Sequence, residues 1–67
     1  MPVVKTIDLV GVSSESWRDA AQQALSEATR TLRGVEGLTV LETSAVVRDD
    51  EIVEYHTQVQ VRFRLER

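Results

Sequence analysis

The stretch SSESWRDAAQQALSEATRTLRG, residues 13–34, decides the fold. Within it Trp17, Ala20, Ala21, Ala24, Leu25, Ala28 and Leu32 recur at the spacing of one stripe on a helix of about 3.6 residues per turn. No other segment carries apolar residues at that period over several turns, so the chain is expected to hold one amphipathic helix. Alanine fills four of the seven positions, which leaves the buried face shallow and lets a partner bring its backbone close to the helix axis. A β-sheet is the natural partner.

Both ends of that helix carry signals. Ser13 reads as the N-cap with Glu15 in the positive first turn, and Val12 then stands at the position from which a hydrophobic staple would reach Trp17. Trp17 is accordingly read as staple and core anchor. Arg30 and Arg33 sit near the negative pole, and Gly34 offers the left-handed conformation that stops a helix without a Cβ penalty.

On either side of the helix the pattern changes to strands. Val3, Val4, Ile7, Leu9 and Val10 make residues 1–10 dense in aliphatic and β-branched side chains, with Gly11 closing the run. Apolar residues fall on both faces of this strand, as if something outside the chain covers part of it. After Gly34 the chain turns through Val35, Glu36 and Gly37, and a second strand is expected from Leu38 to about Arg48. Asp49, Asp50 and Glu51 then form a short acidic break that reads as a hairpin loop. From Val53 the alternation is complete. Val53, Tyr55, Thr57, Val59, Val61, Phe63 and Leu65 share one face, and Glu54, His56, Gln58, Gln60, Arg62, Arg64 and Glu66 share the other.

The reading is a single α+β domain over 1–67, of order β-α-β-β, with a three-stranded antiparallel sheet partly wrapped around one helix. At about 3.3 Å per residue the last strand reaches roughly 45–50 Å, whereas the helix covers roughly 30 Å. The excess strand either curls around the helix or packs against another subunit. A domain of this size buries only about 60% of the surface its unfolded chain exposes. With no cysteine and a single histidine, self-association is the stabilising device left to it.

Charge and composition exclude several functions. The net charge is −3 and the basic residues are scattered, so a nucleic-acid surface, which needs clustered Lys and Arg, is not expected. Arg62, Arg64 and Arg67 are read as a solvated or inter-subunit salt-bridging face rather than an anion site. No signal-peptide pattern and no apolar run of about 20 residues is present, and a soluble cytoplasmic protein is expected. There is no P-loop, no dinucleotide fingerprint, no zinc-protease motif and no nucleophile triad, which argues against an enzyme. Asp49, Asp50, Glu51 and Glu54 are candidate oxygen ligands for a hard cation such as calcium, although their spacing is not that of an EF-hand. His56 lies on the polar face of the last strand and is read as a hydrogen-bonded surface or interface residue.

The joint pattern resembles the dodecins, small β-α-β-β proteins. It is carried by the Val-Gly-Val-Ser step at 10–13, the alanine-rich helix ending Thr31-Leu32-Arg33, and Tyr55 followed by Val59-Gln60-Val61-Arg62-Phe63-Arg64-Leu65-Glu66. The resemblance implies a hollow homo-dodecamer that binds, stores or buffers a small ligand, with a flavin such as riboflavin or FMN as cofactor. It locates the ligand site at or near Gly37, His56, Gln58 and Arg62. In flavin-binding members a tryptophan early in strand two stacks on the isoalloxazine ring, and a glutamine in strand three bonds its polar edge. The matching positions here hold Gly37 and His56, so flavin binding is expected to be weaker than in members with the ring. A calcium-associated branch also lacks that tryptophan and has a Ser-Trp step like Ser16-Trp17, which makes calcium the alternative ligand. A shell with no retained flavin site is the remaining reading.

Overall fold

The computed structural model describes residues 3–65. Strand β1 (Val3–Ser13) leads into helix α1 (Trp17–Thr31), and β2 (Val35–Arg48) and β3 (Glu51–Leu65) form a long hairpin. The three strands make one antiparallel sheet in the order β1-β3-β2, so the strand with the fullest alternation is the central one. At the hairpin tip Asp49 and Asp50 both have positive φ, 51° and 64°, the requirement of a two-residue primed turn. Aspartate tolerates that region better than most residues, which gives the two loop acids a structural task.

Alternation divides β3 as its pattern requires. Thr57, Val59, Val61 and Phe63 are buried beneath the helix, where Ala20, Ala24 and Ala28 meet them. Ile7, Leu9, Leu32, Val35 and Leu38 close the margins of this core. The deepest approach is at Gly11. A Cβ there would collide with the carbonyl oxygen of Ala20 and lie 3.2 Å from the Ala24 Cβ. Gly11 therefore does not close β1, as its place after the aliphatic run suggested. It continues the strand opposite Thr57 and seats the helix.

Helix capping differs from expectation at both ends. Ser13 still pairs with Tyr55 inside β1, so its backbone belongs to the sheet, and the N-cap is Ser16, whose hydroxyl accepts from the Asp19 N–H at 2.9 Å. Ser13 braces the turn instead: its hydroxyl donates to Asp19 Oδ2 at 2.7 Å and accepts from the Glu15 N–H. The staple does not form. Val12 pairs with His56 on the side of the sheet away from the helix, where it is exposed, while Trp17 is the first helical residue and, itself exposed, is not the core anchor expected of it. Trp17 packs edge-on against Tyr55, with centroids 4.7 Å apart, and its indole N–H donates to the Ser44 carbonyl at 2.8 Å. It thus ties the helix start to β2 across β3. The Thr57 hydroxyl, which donates to the Trp17 carbonyl, holds the same turn from below.

At the other end Leu32 is extended and ends the helix, its N–H bonded to the Ala28 carbonyl. Gly34, at φ 74°, does not cap. It turns the chain into β2 and its carbonyl accepts from the Arg64 N–H. Residues 35–37, expected as a turn, are already strand; irregular pairing between Val35 and Gly37 and again between Val40 and Glu42 hides them from a period-2 reading.

The molecule is 52 Å long, against about 22 Å for a helix of fifteen residues. The sheet outreaches its helix, and at the projecting hairpin end Val47, Ile52 and Val53 are exposed.

Candidate functional site

The side of the sheet away from α1 has no covering element among the described residues. Its centre line is His56, Gln58, Gln60 and Arg62 of β3, all half-buried. On one flank β1 places Val12, Val10, Asp8 and Thr6 opposite them in turn. On the other, β2 places Ser44, Glu42, Thr39 and Gly37. Val4, Val10 and Val12 are exposed on this face, which accounts for the two-sided apolar pattern of β1. A polar strip between valines, open to solvent, suits a flat ligand or a second protein surface, since it offers hydrogen bonds along the middle and apolar area beside them.

At one end of the strip Gly37 lies directly opposite Arg62. The guanidinium folds across the glycine: a Cβ at position 37 would collide with Nη2 and lie 2.8 Å from Cζ. Arg62 Nη1 donates to Thr39 Oγ1 at 2.8 Å, which holds the side chain in this pose. The neighbouring Arg64 is engaged differently, its Nε donating to Glu36 Oε1 at 3.0 Å as an exposed ion pair. That pair lies within one chain, whereas the expected salt bridges of the C-terminal arginines were between subunits; Arg67 lies outside the described residues.

At the other end His56 Nε2 is 3.0 Å from Glu54 Oε1, with Gln58 the next residue along the same face. Six residue steps along β3 separate His56 from Arg62, about 20 Å of strand. One chain therefore brings Gly37 to Arg62 and His56 to Gln58, but does not bring the two pairs together. Thr39 was not singled out from the sequence; its place two residues from Gly37 was the available signal.

The four candidate cation ligands are likewise spread out. Asp49 and Asp50 form the turn, Glu51 pairs across the hairpin with Arg48, and Glu54 turns to His56. Among the described residues no three His, Asp or Glu side chains form a group able to hold a metal ion. No helix of the described residues is long and apolar enough to cross a membrane.

Comparison with known proteins accounts for this architecture. The family model described as Dodecin matches residues 3–66. A dodecin from Thermus thermophilus is 38% identical over 64 residues, which cover 96% of this chain and 93% of that protein. A calcium dodecin from Mycobacterium tuberculosis is 29% identical over 65 residues, covering 97% and 92%. Among solved structures, a T. thermophilus dodecin variant superposes with a TM-score of 0.95 at 36% identity, with both chains covered completely. The calcium dodecin of M. tuberculosis, described as calcium-chelating with a novel calcium-binding site, gives 0.83 at 28% identity, covering 96% of this chain and 91% of that one. The chain belongs to the dodecin family.

Proposed function

We propose that this dodecin-family chain is a non-enzymatic, cytoplasmic protein that assembles as a hollow homo-dodecamer and holds a small ligand against the open faces of its sheets. The observation that carries the reading is the open face itself. A half-buried polar strip flanked by exposed valines is left without a partner by a chain whose buried apolar core comprises three alanines, two valines and one phenylalanine. Burial of a valine or phenylalanine contributes about 1.5–3 kcal/mol, while ordering each residue costs about 1–2 kcal/mol. So small a core favours association, and the separation of Gly37 from His56 means that a site using both draws them from different copies.

The ligand class follows the family with a difference. Gly37 contributes no ring, and an aromatic stack is worth about 0.5–1.5 kcal/mol beyond area burial. Flavin is therefore held more weakly here than by a member with tryptophan at that position. Likeness to the calcium dodecin supports a second reading, in which Asp49, Asp50, Glu51 and Glu54 of several copies gather a calcium ion.

Sedimentation velocity at micromolar concentration, with an absorption spectrum and metal analysis of the same purified sample, tests both. A twelve-subunit species with at most a weak flavin band is the expected result. A folded monomer or dimer overturns the assembly, a full complement of tightly held flavin overturns the weakened site, and stoichiometric calcium moves the assignment to the cation reading.

A further inference from the structure

We infer that Arg62 is the specificity-determining residue of the open face, and that it selects ligands carrying an oxyanion, a phosphate or a carboxylate, in place of neutral flat rings. This deepens the ligand-holding reading above and rests on it.

The space over Gly37 is already filled. A ring-bearing side chain at position 37 would project its Cβ into the Arg62 guanidinium, which already lies there. The ground that a stacking residue would occupy is taken by a cation from the facing strand. Of its five N–H donors, one is spent on the Thr39 hydroxyl. Among the described residues Arg62 makes no ion pair, in contrast to Arg64 beside Glu36 and Arg30 beside Glu27. The guanidinium of the half-buried Arg62, without an ion-pair partner among the described residues and pinned by one exposed hydrogen bond, has a fork free for a carboxylate or phosphate. Thr39 fixes the orientation of that fork, and Gly37 permits it, because any side chain at 37 would displace it.

The chain as a whole carries a charge of −3, so attraction of an anion is local to Arg62 and is weakened by salt. Tryptophan installed at 37 by itself must first displace the flexible Arg62 side chain, so shortening Arg62 as well is predicted to improve the stacking site.

Riboflavin and FMN share a ring system and differ in a phosphate, which makes them the probes. Equilibrium dialysis of the assembled protein against each, at matched ionic strength, is expected to show FMN held about 10-fold more tightly, equivalent to about 1.4 kcal/mol. Arg62→Gln should bring the two affinities together while Arg64→Gln leaves the preference in place. Inorganic phosphate displacing FMN where acetate does not identifies phosphate as the anion; displacement by both identifies oxyanions generally. Equal retention of the two flavins by the parent, an unchanged preference in Arg62→Gln, or displacement by neither anion overturns the inference but leaves the ligand-holding reading standing. Retention of neither flavin by an assembled shell that carries no small molecule as purified overturns both.

Discussion

The two faces of β3 are built from alternate residues of one strand, yet they are held by opposite means. Under the helix, backbone meets backbone: Gly11 touches the Ala20 carbonyl, and Ala24 and Ala28 lie on Val59 and Val61. On the open side the contacts are made by the ends of polar side chains, Arg62 over Gly37 and His56 beside Glu54. The first arrangement has no soft coordinate, because a carbonyl in a helix cannot swing aside without moving the helix. The second is soft by construction. A glycine stands at a close approach on each face, so the same substitution probes both of them.

Gly11→Ala is expected to have the largest effect. Overpacking typically costs about 1–3 kcal/mol, occasionally more, and here the added methyl collides with main chain, so the loss should reach about 3 kcal/mol or more. The helix would have to lift, which also weakens the alanine contacts beyond it. Denaturant unfolding at matched protein concentration, with assembly followed in parallel, checks this; a variant that unfolds with the parent would mean that helix and sheet are not in close contact at Gly11.

Ala24→Leu adds bulk one helical turn further along and should cost less, within about 1–3 kcal/mol. Ala24 borders a shallow groove shared with Leu9, Val12, Gln23 and Glu27 at the β1 edge, into which a leucine can partly turn. A loss equal to that of Gly11→Ala would show that the groove is filled, as by another subunit.

The contrast between the faces also marks what was legible beforehand. The helix, the central strand and its two faces were readable, because each depends only on spacing within one segment. Gly11 as the helix seat and Arg62 over Gly37 were not, because both depend on which residue of one strand stands opposite which residue of another. A glycine inside a β-rich run facing an alanine-rich helix did hint at close approach, but its neighbour Ser13, a good cap residue, drew the strand boundary too early. Irregular pairing near Leu41 similarly removed the alternation that would have placed Thr39 beside the site.

The smallest effect belongs to the open face. Gly37 does not share the positive φ of Gly34, so alanine there meets no backbone strain and restricts the unfolded chain, which stabilises by about 0.4–1 kcal/mol. Against this, the new methyl drives the guanidinium off its perch and breaks the Arg62 to Thr39 bond. An intramolecular hydrogen bond is worth about 0.5–1.5 kcal/mol net, and an exposed one recovers water in exchange. The two terms nearly cancel, so Gly37→Ala should unfold within about 0.5 kcal/mol of the parent. Its consequence should appear in binding, since a displaced Arg62 no longer presents its free fork beside Thr39. Unfolding and FMN dialysis on the same preparation separate the possibilities: unchanged stability with a lost FMN preference establishes the open face as soft and functional. A stability loss comparable to that of Gly11→Ala would mean that Arg62 is wedged as firmly as the helix, and that the two faces do not differ in kind.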